Sequence, residues 1–361
     1  MPAFSSSLFS LHRLTFSHPG LAAQLIDFYG SAESVLAAFD ERLTPVSAGL
    51  SHKLRVIAHS KEHLTSVDQD TSWANETNHS VLRLGDENYP VLLSEISDPP
   101  LLLFVWGDPK FLLQDQLALV GSRKASPDGI SIAEQLSSEL VASGFVITSG
   151  MALGIDAAAH RGALKVGGQT IAVQGVGAGA IYPRRHERLA LKIVESGCLL
   201  SEYPTSIDAR AHQFPQRNRI VTGLTKGTIV VEASEASGSL ISARLAMEQG
   251  REVFAVPGSV RTKHSDGCHR LIKQGAKLVT NLADVLEEFN DFELKRHRRV
   301  RNFSEQERPV VEALQHGSCH ADKLHEQTGI EIHHLMAVLM ALEIRGEIQS
   351  DHNGYRMTDE L

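Results

Sequence analysis

The chain is short of cysteine, of aromatic side chains and of long apolar runs, and each shortage removes a class of protein. Cys198, Cys268 and Cys319 are its three cysteines, far apart and without a C-x-x-C pair. That excludes a disulfide scaffold and a cysteine-rich zinc site, and it fits a reducing cytoplasm. No apolar stretch nears the roughly 18 residues a membrane span needs. The run from Leu101 to Trp106 is strand-sized. The opening MPAFSSSLFSLHRL has no basic segment ahead of a long apolar one, so no secretory signal is expected. Disorder is not expected either, because 42% of the 361 residues are hydrophobic and only 22% charged. The length suggests two or three domains.

The net charge of −8 is unevenly spread. Residues 108–290 hold 20 Lys and Arg against 18 Asp and Glu, whereas the flanks hold 15 against 25. The acidic excess therefore sits outside the middle, which is free to carry a local basic surface.

Residues 1–75 alternate short apolar-periodic segments with turns and read as a small helical domain, with Ser31 or Ser34 capping one helix. The polar tract Thr65 to Ser80 reads as a linker. From Leu117 the pattern changes. LALVGS, FVITSG, TIAVQG, LLSEYP, TIVVEA, EVFAVPG and KLVT are short apolar runs separated by helix-length segments. Runs without strict alternation suit strands covered on both faces, so the expected fold is α/β, a doubly wound parallel sheet over residues 80–290. Ser126-Pro127 and Ser239 open two of its helices. Residues 291–303, with five Lys and Arg between Asp291 and Arg301, read as a solvated basic linker, with a nucleic-acid-binding arm as the alternative. Residues 304–361 read as helix, helix-turn-helix and hairpin, the winged-helix pattern. A capping box at Ser304 to Glu307 opens this unit. Its recognition helix, EIHHLMAVLMALEI, has neither Lys nor Arg, which favours protein contact or weak DNA contact.

Three strand ends carry Gly/Ser loops that lead into helices: Gly121-Ser122-Arg123-Lys124, Ser149-Gly150 through Gly154-Ile155-Asp156, and Ser237-Gly238-Ser239. In a parallel sheet all three lie at the carboxyl edge, where open α/β sheets bind ligands. Backbone N–H groups at helix starts favour an anion, phosphate above all. Phe214-Pro215-Gln216-Arg217-Asn218-Arg219-Ile220 is open to two readings. The arginines offer forked phosphate donors and Phe214 a ring for base stacking, or the arginines brace strand-end carbonyls and Phe214 lies in the core.

Enzyme templates fit poorly. There is no G-x-x-x-x-G-K-[ST], and Gly175 to Gly179 has its third glycine one position early for a dinucleotide fingerprint. His333-His334 diverge on a helix and do not chelate. Asp156 and His160 share a helix face, either as an acid/base pair or as a helix-capping carboxylate with its i+4 partner, and the capping reading is favoured. Glu232 would contact a ribose or receive an arginine. No catalytic residue, metal or cofactor is expected.

The ordered series VGSRKAS, SGMALGIDAAAHRGAL, VQGVGAGAIYP, SEYP, FPQRNRI, VVEASEASGSL, REVFAVPGS and GCHRLIKQGA resembles the DprA/Smf family of DNA-processing proteins over residues 80–285. The resemblance implies a sterile-alpha-motif-like helical domain, an extended Rossmann domain and a C-terminal winged helix. It implies a cytoplasmic, non-enzymatic protein of natural transformation that binds and protects single-stranded DNA, loads RecA recombinase onto it, and is a homodimer through the Rossmann domain. Carried over by motif, Gly121, Ser122 and Arg123 hold a phosphate beside Ser149, Gly150 and Gly154, while Arg217, Asn218 and Arg219 continue the groove and Phe214 stacks on a base. Two departures stand out: Met151-Ala152-Leu153 replaces the usual Leu-Ala-Arg, and Gln216 stands where Arg is common. The alternative is a nucleotide N-glycoside hydrolase using Glu232 or Asp156, although the P-G-G-x-G-T loop of one such family is missing.

Overall fold

The computed structural model describes residues 5–18, 20–40, 46–289, 307–314, 318–344, 348–351 and 354–357. Residues 1–295 form one compact unit and 296–361 a second.

The first unit opens with five helices, α1 (Ser6–Thr15), α2 (Leu21–Tyr29), α3 (Ala32–Ala37), α4 (Ala48–Ala58) and α5 (Lys61–Ala74). Ser31 caps α3 by accepting from the Ser34 N–H. The tract read as a linker from Thr65 is instead most of α5. Ser60 caps this helix by accepting from the His63 N–H, and His63, Val67, Asp70 and Trp73 are its buried positions. Their spacing of four, three and three residues is helical. The polar residues between them face solvent, and the one buried acid, Asp70, hides an inward position behind a hydrophilic letter.

A nine-stranded sheet follows, from β1 (His79–Arg83), β2 (Leu102–Gly107), β3 (Gln116–Gly121), β4 (Val146–Ser149), β5 (Thr170–Val173), β6 (Cys198–Ser201), β7 (Gly227–Glu232), β8 (Glu252–Ala255) and β9 (Lys277–Leu278). Their order is β1-β2-β6-β5-β4-β3-β7-β8-β9. The seven strands from β6 to β9 run parallel, as expected, while β1 and β2 add an antiparallel edge. The helices of this part are α6 (Val91–Ser94), α7 (Pro127–Ala142), α8 (Ile155–Lys165), α9 (Glu187–Ser196), α10 (Gln213–Gly223), α11 (Ser239–Glu248), α12 (Asp266–Lys273) and α13 (Leu282–Leu286).

Both sheet faces are covered, which is why the strands read as unbroken apolar runs. Side chains alternate between two cores. Ala118, Val120, Val230 and Ala255 join one, and Leu117, Leu119, Ile229, Val231 and Phe254 the other. The N-terminal helices do not stand apart: their core takes in Val81, Leu101, Leu102 and Phe104 from β1, β2 and the turn before β2.

In the second unit α14 (Arg308–Leu314), α15 (Ala321–Thr328) and α16 (Ile332–Ile344) precede the hairpin β10 (Ile348–Asp351) and β11 (Gly354–Met357). Gly329, at φ 69°, ends α15 in the left-handed conformation that favours glycine. The capping-box residues Ser304 to Gln306 and the basic linker at 291–303 lie outside the described residues.

Candidate nucleic-acid interface

Because β4, β3 and β7 are adjacent and parallel, their loops 149–154, 121–124 and 233–238 share one rim of the sheet. Its centre is built on close backbone contacts. The Ser122 N–H donates to the Glu232 carbonyl at 2.7 Å, and the Ser122 carbonyl accepts from the Ile155 N–H at 3.2 Å. Gly154 has φ 76°, and a Cβ there would strike the Ser122 carbonyl, so this crossing of two loops requires glycine. Met151 also adopts a left-handed backbone, at φ 60°. The Ser122 hydroxyl oxygen accepts from the Lys124 N–H at 3.1 Å, and Arg123 and Lys124 are exposed.

The fate of the other candidate residues is uneven. Ser149 is buried and donates its hydroxyl to the Leu119 carbonyl at 2.6 Å. At that loop the backbone, rather than the serine, is left to meet a ligand. The Ser237 and Ser239 hydroxyls lie 2.7 Å apart at the start of α11, beside exposed Gly238.

Arg217 follows the bracing reading. It is 3% exposed, donates Nη1 to the Gly150 carbonyl at 2.6 Å and to the Val173 carbonyl, and donates Nε to Asn218 Oδ1 at 3.3 Å. Burial lowers its pKa to about 10, against the pull of Asp156, and leaves it charged at neutral pH. Arg219 is likewise engaged inside the protein, bonded bidentately to Glu202 at 2.6 and 2.9 Å and to Asp98 at 3.0 Å. Phe214 is half-buried rather than in the core. Its ring lies 5.1 Å from Tyr182 and 5.7 Å from the Arg123 guanidinium.

The acid/base pairing of Asp156 with His160 does not form, and neither does the i+4 contact. Asp156 accepts from the Ala152 N–H at 3.2 Å, and burial raises its pKa against the opposing effect of Arg217. His160 Nδ1 bonds Thr170 Oγ1 at 2.7 Å, and burial lowers its pKa to about 3. The imidazole is therefore neutral at physiological pH. Glu232 pairs with no arginine among the described residues. It accepts from the Ser126 N–H and hydroxyl, and His264 Nδ1 lies 3.3 Å away.

The structure adds residues that sequence reasoning passed over. His186 Nδ1 bonds the Met151 carbonyl at 3.0 Å, which fastens Tyr182 to His186 against the central loop. Tyr182, Arg184 and Arg185 are exposed there. The signal was the string YPRRH, directly after the point where the failed dinucleotide fingerprint ended. Among the described residues, no carboxylate pairs with Arg123, Lys124, Arg184 or Arg185.

The sequence profile of the family described as DNA recombination-mediator protein A matches residues 80–290, and that of the DprA winged helix domain matches 297–354. This chain belongs to the DprA/Smf family. Among its relatives, Protein Smf of Escherichia coli strain K12 is 47% identical over 223 residues, 62% of this chain and 60% of that protein. DNA processing protein DprA of Streptococcus pneumoniae strain R6 is 49% identical over 204 residues, 56% of this chain and 72% of that protein. The match thus spans 60%, less than two thirds, of the E. coli relative. The X-ray structure of DNA processing protein A from Streptococcus pneumoniae superposes with a TM-score of 0.67 at 36% identity, covering 79% of this chain and 98% of that one. The DprA of Helicobacter pylori, whose structure is described for its single-stranded DNA binding mode, gives 0.54 at 32% identity, covering 59% and 96%. The winged helix of this DprA/Smf chain presents Ile332, Met336 and Met340 to solvent at 41%, 44% and 65% exposure. This stripe on α16 carries no cation.

His12, like His160, is a buried histidine that makes the first unit sensitive to acid. His12 Nε2 bonds the Glu202 carbonyl at 2.7 Å, Nδ1 has no partner among the described residues, and burial, reinforced by Arg13, lowers the pKa from 6.5 to about 4. Its stabilising effect is complete above about pH 6.5 and is lost as the pH falls towards 4, on the order of 3 kcal/mol. The buried carboxyls Asp156 and Glu202, with raised pKa values, act in the opposite sense, so the comparison must be with a variant. Urea unfolding of His12→Gln should show a shallower acid loss than the parent. Parallel curves would contradict the assignment.

Proposed function

We propose that the rim of the sheet binds the backbone of single-stranded DNA and makes or breaks no bond. Arg123 carries the reading: it is exposed, forms no salt bridge among the described residues although its charge reaches buried Asp156, and stands beside the Gly154 crossing and the Phe214–Tyr182 ring pair. Cations release condensed counterions from phosphates, and the rings offer sequence-tolerant stacking for unpaired bases. Ser122, Lys124, Gly154, Arg184 and Arg185 complete the contact surface, with buried Gly150 behind them. Gly121, Ser149, Arg217, Asn218 and Arg219 shape it from beneath, and Ser237 to Ser239 flank it. The hydrolase alternative loses ground because Asp156 and Glu232 are already occupied by backbone N–H groups and Ser126.

The wider role is that of the family: strand protection and delivery of a recombinase, RecA, to the strand in the cytoplasm during DNA uptake. The recombination-mediator description of the matched profile supports it. Self-association through the Rossmann domain is supported by β9, a short strand at the sheet edge with Leu278 43% exposed. Residues 1–75, 80–290 and 304–361 act as helical, strand-binding and winged-helix modules. The uncharged stripe on α16 favours protein rather than duplex contact for the last of these.

Titration of oligo-dT across a salt series tests the reading. Arg123→Ala should weaken binding about tenfold at low salt and make the logarithmic salt slope shallower by about 0.7. Its thermal stability should match the parent, since the side chain is exposed. Unchanged affinity and slope would refute the assignment.

A further inference from the structure

The segment between β8 and α12, residues 257–265, rises from the same rim as the central loops and has no part in the site so far described. It is an ordered loop. The Thr262 N–H donates to the Ser259 carbonyl at 3.2 Å, and the Arg261 N–H to Ser259 Oγ at 3.2 Å. Its base is held by His269 Nε2, 3.0 Å from the Gly258 carbonyl. Its far end is held by His264 on Glu232, the carboxylate that also receives Ser126 at the start of α7. One buried acid thus ties this loop to the chain that carries Arg123 and Lys124.

Arg261 and Lys263 project from this frame, both exposed and without a carboxylate partner among the described residues. Val260 beside them is 85% exposed. The strand order puts β8 two positions from β3, roughly 10 Å along the rim. Two neighbouring acids oppose an anion here: exposed Glu235 on the β7 loop and half-buried Asp266 in the first turn of α12.

We propose that loop 257–265 is a second phosphate subsite, taking a backbone phosphate of the same single strand further along from the Arg123 loop. The subsite rests on the reading of the rim as a strand-binding surface. Arg261 and Lys263 supply the positive charge, Val260 gives an apolar contact to a sugar or base, and Glu235 moderates the affinity.

Oligo-dT binding is to be measured across salt for the intact protein, for Arg261→Ala with Lys263→Ala, for Glu235→Gln, for Arg123→Ala, and for Lys165→Ala at the far end of α8. Removing both loop cations should make the salt slope shallower by about 0.7, the share of the one phosphate they hold, whereas Lys165→Ala should leave it unchanged. Glu235→Gln should tighten binding at low salt. A length series of oligo-dT should show the loop variant losing affinity for long strands and none for the shortest. If the loop variant matches Lys165→Ala while Arg123→Ala still weakens binding, the subsite is wrong and the rim reading survives. If Arg123→Ala is also without effect, the rim reading itself fails.

Discussion

Arg217→Ala should destabilise the first unit by about 3–5 kcal/mol, a far larger effect on folding than any exposed arginine of the rim. The side chain is 3% exposed and its guanidinium joins the Gly150 and Val173 carbonyls, the ends of the β4 and β5 layer. It is also the stronger of the two cations, with Arg123, that oppose the burial-driven rise in the Asp156 pKa. Removal takes the Nη1 donor from two inward carbonyls and leaves the buried carboxylate of Asp156 with only the weaker opposing charge of Arg123. Arg217→Lys should recover only part of the loss, because one ammonium can meet the two carbonyls that Nη1 meets but has no second nitrogen to replace the Nε bond to Asn218 Oδ1. Urea unfolding followed by circular dichroism reads both variants. DNA affinity should fall with them only as Gly150 is displaced, so Arg217→Ala separates from Arg123→Ala by its stability. An Arg217→Ala protein as stable as the parent would show that the guanidinium is not bonded inside the fold.

A loss of similar size, about 3–5 kcal/mol, is expected for Asp70→Ala. Asp70 is fully buried on α5 and accepts four hydrogen bonds. They come from Arg13 Nε and Nη2, at 2.5 and 2.9 Å, and from the Thr205 N–H and hydroxyl, at 2.8 and 2.7 Å. Arg13 donates in turn to the Thr205 carbonyl at 2.7 Å. This knot holds α1 and α5 against the segment that leaves β6 and leads to α10, and hence to Phe214 and Arg217. Asp70→Asn should not rescue it, since an amide would turn a donor towards groups that themselves donate. Adding Arg13→Ala to Asp70→Ala should cost much less than the two single losses combined, because both remove the same pair. Additive losses in denaturant unfolding would contradict the shared knot.

The strands, the Ser126-Pro127 helix start and the winged-helix pattern were legible because local signals and tertiary packing agree there. Apolar runs of strand length bounded by Gly and Ser leave little choice once both sheet faces are covered. The tract after Thr65 was not legible in this way. Its helix buries Asp70, an acid that only a partner 57 residues away and a backbone 135 residues away make tolerable. The same holds for FPQRNRI. Spacing allowed its arginines to face a ligand or the fold, and the choice lay with Gly150, Val173, Asp98 and Glu202, distant residues that supply acceptors. Arg184 and Arg185 were missed for the converse reason. They look like ordinary surface charge until His186 fastens them beside Met151.

By itself the sequence determined the class of fold, the family and the position of the Gly/Ser loops, because hydrophobic period, turn chemistry and ordered motifs are local properties of the chain. Only the tertiary structure decided which cations face outward. An arginine is neutralised by whatever acceptors folding brings within about 3 Å of it. For Arg217 and Arg219 those acceptors come from other strands and loops, while for Arg123, Arg184 and Arg261 the described residues bring no carboxylate.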